Sequence, residues 1–395
     1  MIRVALFAAL GFHGPILAAV RDALGARAET RLHGDRRAVV AFQPHVLVLA
    51  SSAHLEYFRH HLPAAFVVNV RHGLIGKQGL SRLPRRTSAR RFDAVCVGDE
   101  GQKARYARAG AHPGAFWETG YPQLDPLWRR DPPPALPLDP TQPTLLYAPT
   151  WNLGLTSATM RGDRLVTLVR GRVPRVNVVI KPHPVIGDWR PRWMARWARL
   201  AAAHPNVHLV RDSHADVVPY CLAADLLLSD ASSVIFEFLA LDRPIVLLTN
   251  PRHAADPARL PDDIAWRWRD VGHELHDVST LPDAVALALD DPGARGDRRR
   301  ARAQELFGPF TDGGNARRVA ERILEAGARV ARGEWRPAPP PPPGWRWHDL
   351  RTRLRLDTLA RRLALGPLEA ARLGYRSWRA AGRPRPRSAA PRPAP

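Results

Sequence analysis

Short runs of aliphatic and β-branched residues alternate with helix-length amphipathic stretches along most of this chain, and that alternation constrains it more than any other feature. In the first half the runs are Ile2–Phe7, Val46–Ala50, Ala65–Val70, Asp93–Val97 and Phe116–Thr119. In the second half they are Thr144–Ala148, Val176–Ile180, Val207–Val210, Asp225–Ser229 and Pro244–Leu248. Most are continuously apolar, as expected of strands covered by helices on both faces of a parallel sheet. Strand–helix–strand repetition predicts doubly wound α/β units.

Proline divides the pattern. The stretch from Asp131-Pro132-Pro133-Pro134 to Pro143 separates the two sets of strands, and a second break follows Trp335, with five prolines ending at Pro343. A stiff, extended spacer is the expected form of the second. The predicted organisation is therefore a Rossmann-like domain over 1–130, a proline-rich join over 131–143 and a second Rossmann-like domain with a terminal helix over 144–330. A proline-rich spacer over 331–344 and a basic Arg/Pro-rich tail over 345–395 complete it. Two such domains face a cleft at the C-terminal ends of their strands, the usual ligand position of this architecture.

The formal charge of +22 invites a nucleic-acid reading, but its distribution argues otherwise. Residues 331–395 hold 15 arginines and four acids, half of the net charge in one terminal segment. All basic residues except Lys77, Lys103 and Lys181 are arginine. No stacking or groove-reading module is visible, so no nucleic-acid partner is expected. Within the tail, Arg351, Arg353, Arg355, Arg361 and Arg362 crowd a stretch that also carries leucines, with Trp345, Trp347, Tyr375 and Trp378 around it. That composition points to an anionic membrane surface, although the leucines form only a partial amphipathic stripe. The N-terminus reads as a first strand and glycine loop rather than a secretory signal. No apolar run approaches the ~20 residues of a membrane span. Two cysteines, Cys96 and Cys221, make no disulfide framework, which suits a reducing compartment. A cytoplasmic protein, peripheral on the inner face of the plasma membrane, is the expectation.

Four segments carry polar residues where an apolar strand stops. Arg71-His72-Gly73-Leu74-Ile75-Gly76-Lys77 follows the strand ending at Val70 and offers an imidazole that titrates near neutrality, beside glycines that admit an anion. Tyr147-Ala148-Pro149-Thr150-Trp151-Asn152 brings a hydroxyl, an indole and an amide to the cleft. Lys181-Pro182-His183-Pro184 holds a cation and an imidazole between prolines that fix the backbone. Ser229-Asp230-Ala231-Ser232-Ser233, followed by an apolar helix carrying Glu237, offers hydroxyls and N–H groups to a phosphate. A plain N-cap by Asp230 or Ser232, with Glu237 on the solvent face, is the alternative, and the two readings are compatible. No spacing resembles a metal site, a Walker loop or a dinucleotide fingerprint, so neither metal nor cofactor is called for.

Taken in order, these segments resemble the CDP-glycerol glycerophosphotransferase family, the teichoic-acid primases and polymerases of the GT-B type. His72-Gly73 with Lys77 matches a His-Gly-x-x-x-Lys segment. Thr119-Gly120-Tyr121-Pro122-Gln123-Leu124-Asp125 resembles a Gly-x-Pro-Arg-x-Asp turn, with Gln123 in place of arginine. Tyr147-Ala148-Pro149-Thr150-Trp151 matches closely, Lys181-Pro182-His183-Pro184 resembles Arg-Pro-His-Pro, and the Ser229–Glu237 segment resembles Thr-Asp-Tyr-Ser-Ser-x-x-Phe-Asp. Asp312-Gly313-Gly314-Asn315-Ala316 falls near an Asp-Gly-x-Ala element.

The resemblance spans about residues 70–325 and departs from the family at Gln123, Ala231 and Glu237. It implies a GT-B-like pair of domains, the first for the acceptor and the second for the donor. It implies His72 and His183 as catalytic residues, with Lys181, Ser232, Ser233 and Lys77 on the donor diphosphate. Thr150, Trp151, Asp230, Glu237 and Asp312 are implied at the nucleotide or cleft. The implied partners are CDP-glycerol or a similar nucleotide-activated donor and a lipid-linked or glycan acceptor, with CMP released. A GT-B nucleotide-sugar glycosyltransferase or UDP-sugar 2-epimerase is the nearest alternative. A basic membrane-surface binding protein with an idle α/β body is another.

Overall fold

The computed structural model describes residues 1–9, 13–52, 54–71, 91–108, 113–160, 162–256 and 263–336. The unit Met1–Asp349 contains all of them; a second unit, Leu350–Pro395, lies outside the described residues, as does the whole tail from 345.

Among the described residues, twelve strands form two six-stranded sheets, and every pairing is parallel. The first sheet holds β1 (Arg3–Phe7), β2 (Glu29–His33), β3 (Val46–Leu49), β4 (Phe66–Asn69), β5 (Ala94–Val97) and β6 (Phe116–Glu118), in the order β2-β1-β3-β4-β5-β6. The second holds β7 (Thr144–Tyr147), β8 (Asn177–Ile180), β9 (Val207–Leu209), β10 (Leu226–Ser229), β11 (Ile245–Leu248) and β12 (His273–Leu275), ordered β12-β11-β10-β7-β8-β9. All ten expected strands are present. The two additional ones, β2 and β12, are edge strands of polar sequence, Glu-Thr-Arg-Leu-His and His-Glu-Leu. An edge strand needs no continuous apolar run because one side of it meets solvent.

Each central strand is buried on both faces. Val4, Leu6, Val46, Val48 and Val68 pack on one side of the first sheet with Val319, Ala320 and Ile323 of the helix Asn315–Ala331. That helix follows the second sheet in sequence, so the chain crosses back and closes its last turns on the first sheet. Burying its apolar stripe contributes on the order of 1.5–3 kcal/mol per large side chain, which ties the two halves together.

Candidate functional site

In the second sheet the strand order reverses between β7 and β10: the chain builds outward from β7 to β9, then returns to β10 and builds the other way. A doubly wound sheet opens a crevice at such a point, beyond the C-terminal ends of the two strands. Here β7 leads into Ala148-Pro149-Thr150-Trp151 and β10 into Asp230-Ala231-Ser232-Ser233, while β8, paired with β7, leads into Lys181-Pro182-His183. Three of the four sequence segments thus meet at one edge.

Asp230 organises this edge. It is 1% exposed, and its carboxylate accepts the backbone N–H of Thr150 at 3.0 Å and of Ser157 at 2.7 Å, together with the Ser157 hydroxyl at 2.8 Å. The Ala231 N–H adds a bond at 2.6 Å. A buried carboxylate is tolerated when its lone pairs are filled this way. Its carboxylate oxygens therefore hold the Thr150–Ser157 loop onto β10, and Ser229 reinforces the join by donating its hydroxyl to the Ala148 carbonyl at 2.7 Å.

Behind Asp230 lies Arg269, a residue that the sequence patterns do not single out. Its guanidinium donates to the Asp230 carbonyl, to the Thr249 hydroxyl at 2.7 Å and to the Glu274 carboxylate at 3.0 Å. One side chain therefore gathers the ends of β10, β11 and β12. Burial lowers its pKa, and Glu274 opposes that shift. Asn250, just past β11, donates to the Thr156 carbonyl at 2.8 Å and braces the same loop. A polar pair at the end of an apolar strand, Thr249-Asn250, was a signal for that residue; no comparable signal marks Arg269.

Lys181 is 5% exposed. Its ammonium donates to the Ser213 carbonyl at 2.7 Å and the Pro182 carbonyl at 3.2 Å. Burial pulls its pKa down to about 8, against the attraction of Asp212, Asp216 and Glu237. An ammonium has three donors, so two carbonyls leave one. His183 caps the helix Pro184–Trp189: its Nδ1 accepts the Val185 N–H at 3.2 Å. A ring that accepts at Nδ1 carries its neutral-state proton on Nε2, which makes Nε2 a hydrogen-bond donor. The half-buried Trp151 ring lies 6.3 Å from the His183 ring, tilted by 43°.

Ser232 is buried and Ser233 half-buried ahead of the helix Val234–Phe238. Ser233 occupies the cap position and makes no side-chain cap bond, while Ser232 Oγ accepts the Val234 N–H at the long distance of 3.5 Å. Glu237 is only 9% exposed, so it does not face solvent; it contributes to the field around Lys181.

In the first half, β4 ends at Asn69, and Arg71 adopts a left-handed backbone with φ +60°. Its N–H bonds to Asn69 Oδ1 at 2.8 Å and its guanidinium to the Tyr106 hydroxyl at 2.5 Å. Left-handed geometry in a long side chain is costly and marks a constrained position. His72 and Lys77, which follow it, lie outside the described residues.

Asp312 belongs to another contact. It pairs with Arg318 at 2.5 Å and accepts the Gly314 N–H at 3.0 Å, and Arg318 holds its carboxyl down at about 2. The same turn is gripped by Asp125, which accepts the N–H groups of Asn315 at 3.0 Å and Ala316 at 2.7 Å, the first turn of the helix Asn315–Ala331. Gly120, at φ +72°, lets the Asn315 side chain approach; a Cβ there would lie 2.2 Å from Asn315 Oδ1. The Thr119–Asp125 and Asp312–Ala316 segments therefore form a clasp between the halves, and Tyr121 and Leu124 of the first share one buried core with Ala148 and Ala231 of the β7/β10 edge. Among the described residues, no group of three His, Cys, Asp or Glu side chains could hold a metal ion. None of the described helices is long and apolar enough to cross a membrane.

Comparison with solved structures gives a GT-B-like neighbourhood. The wall teichoic acid polymerase TagF aligns with TM-score 0.65 and 13% identity over 84% of this chain and 90% of its own. A TagF variant soaked with CDPG gives 0.63 and 15% over 83% and 89%. The UDP-GlcNAc 2-epimerase from Neisseria meningitidis, bound to UDP-GlcNAc, gives 0.56 and 13% over 82% and 100%. At these identities the likeness establishes the fold. The comparison with curated proteins returned no match. The family model for CDP-Glycerol:Poly(glycerophosphate) glycerophosphotransferase matches residues 28–325, three-quarters of the chain, and the chain belongs to that family.

Proposed function

We propose that this protein transfers glycerol phosphate, or a related polyol phosphate, from a CDP-linked donor to an acceptor hydroxyl in cell-surface polymer synthesis, releasing CMP. The observation that carries the reading is the meeting of Thr150-Trp151, Lys181, His183 and Ser232 at the β7/β10 switch point, where a doubly wound sheet takes a nucleotide. Family membership supports the reaction class. TagF has been soaked with CDPG, which supports the donor.

In this scheme His72 accepts the proton of the acceptor hydroxyl. The hydroxyl oxygen forms a bond to the β-phosphorus, and the bond from that phosphorus to the bridging oxygen breaks, so CMP leaves with the bonding pair. Charge grows on the bridging and non-bridging oxygens. Preformed donors stabilise it: Nε2–H of His183, the remaining donor of Lys181, and the Ser232-Ser233 segment, with Lys77 contributing from the first domain. Because Nε2 of neutral His183 holds a proton, His183 acts as donor and His72 as base. Trp151 and Thr150 border the nucleotide; Asp230 holds the Thr150–Ser157 segment beside it, and Glu237 adds negative charge near Lys181. The acceptor is a lipid-linked or glycan hydroxyl, presented at an anionic membrane surface that the basic tail, residues 345–395, engages.

The test is ligand-induced stabilisation. A donor that binds the folded protein raises Tm by mass action, about 2.7 kcal/mol at a hundredfold excess over Kd. CDP-glycerol should raise Tm more than UDP-sugars do; a larger shift with a UDP-sugar contradicts the reading.

A further inference from the structure

We infer that His214 is a positioning residue for the two polar groups at the tip of β8. With Asp188 it holds the turn over 212–215 against the helix that His183 caps, and that turn supplies the carbonyl on which the Lys181 ammonium rests. The inference rests on the proposed use of Lys181 and His183 for the donor diphosphate. His214 itself lies in none of the segments that meet at the β7/β10 edge.

The turn follows β9, the edge strand beside β8. Val210 donates its N–H to the Ile180 carbonyl at 3.0 Å, so the strands are still joined at the residue before Lys181. The Asp212 carboxylate then accepts the His214 N–H at 2.9 Å, and the Asp212 carbonyl accepts the Ala215 N–H at 3.1 Å. The bend directs the Ser213 carbonyl at Lys181 Nζ, 2.7 Å away.

Two contacts fix that turn to the helix Pro184–Trp189. His214 Nε2 lies 2.9 and 3.0 Å from the two carboxylate oxygens of Asp188. A carboxylate only accepts, so Nε2 donates. Gly187 provides the second contact by having no side chain: a Cβ there would lie 2.0 Å from Ser213 Oγ. Ser213, 5% exposed, therefore packs directly on the helix backbone. The cap of the same helix is His183. Lys181 and His183 are thus referred to one support, and His214 closes it from outside.

The His214 and Asp188 side chains are 36% and 41% exposed. Pairs of that exposure contribute little to stability. What this one contributes is position, and a misplacement of about 1 Å at a reacting group costs on the order of 10²-fold in rate. Loss of the pair should therefore separate rate from stability.

The experiment uses the full chain carrying carbon-13 lysine. Lys77, Lys103 and Lys181 are its only lysines, and Lys181→Arg assigns the third signal. In the parent protein the Lys181 Cε signal should titrate near 8, because burial holds the ammonium down against Asp212, Asp216 and Glu237. His214→Ala removes none of these charges. It releases the turn and admits water to the ammonium, so the titration should move up toward 10.5. Gly187→Ala, which forces the Ser213 side chain off the helix, should do the same. His214→Gln, whose amide donates to Asp188, should keep the parent value. Turnover of CDP-glycerol should fall at least about tenfold in His214→Ala, with little change in Tm. A Lys181 titration that stays near 8 or falls in His214→Ala overturns the inference, as does an equal shift in His214→Gln. A shift confined to His214→Ala and Gly187→Ala, in a parent protein that does not turn over CDP-glycerol, upholds the brace on Lys181 and rejects the proposed function instead.

Discussion

The Asp230 carboxylate receives both the backbone N–H and the hydroxyl of Ser157, 73 positions earlier, at 2.7 and 2.8 Å. The candidate site exists in its present form because of that pairing: it pins a loop leaving β7 onto the end of β10, where strand order reverses. A carboxylate does this better than an amide because every partner is a donor.

Asp230→Asn should therefore destabilise the protein by about 2–3 kcal/mol, since the amide turns a donor toward N–H groups that are already donors. Ser157→Ala removes one hydroxyl bond and should cost about 1 kcal/mol. Midpoints of urea unfolding measure both. Equal losses would mean that Asp230 does not organise the loop.

His183 has two duties that substitution separates. His183→Ala loses the helix cap and the Nε2 donor; His183→Asn keeps a cap-competent side chain. Both should lose on the order of 10²-fold or more in kcat, while only the alanine variant loses stability, by about 1 kcal/mol. Near-normal turnover in a folded His183→Asn protein would remove His183 from the chemistry.

Lys181 sets a pH limit. Its ammonium, with pKa pulled down to about 8, loses its proton as pH rises through that value. If the cation serves the diphosphate, kcat should fall above about pH 8. In Lys181→Arg, which stays charged, the alkaline limb should disappear. The stability effect has the opposite direction. The folded pKa lies below the ordinary 10.5, so the penalty for burying the charge is full below about pH 8 and fades toward 10.5. An alkaline limb that persists unchanged in Lys181→Arg would assign it elsewhere.

Asp125 is predicted to matter for the joining of the halves rather than for chemistry. Its carboxylate fills two N–H groups at the start of the helix Asn315–Ala331, where the helix dipole favours negative charge. Asp125→Ala should cost about 1–2 kcal/mol and leave kcat within a few-fold in protein that remains folded. A large fall in kcat without loss of stability would move Asp125 into the reacting site.

Much of this was legible because strand tips announce themselves. An apolar run that stops at Lys181-Pro182-His183 or Ser229-Asp230 has polar groups where packing cannot explain them, and the switch point gathers those tips in space. The edge strands β2 and β12 were not legible, because half-solvated strands lack the continuous apolar signature. Nor was the role of Arg269. In Trp266-Arg267-Trp268-Arg269, nothing in the spacing separates Arg267, which is exposed, from Arg269, which is buried and holds three strand ends. That difference is made by Asp230 and Thr249, 39 and 20 positions away, together with Glu274 on the edge strand β12.

The most direct test of the central claim is the identity of the nucleotide released in turnover. The full-length protein is given CDP-glycerol and UDP-N-acetylglucosamine together with a lipid-linked glycan acceptor, and the products are identified by mass spectrometry. The account predicts CMP, in amounts matching glycerol phosphate gained by the acceptor. Release of UDP with a sugar added to the acceptor, or an epimerised sugar with CDP-glycerol untouched, would contradict it.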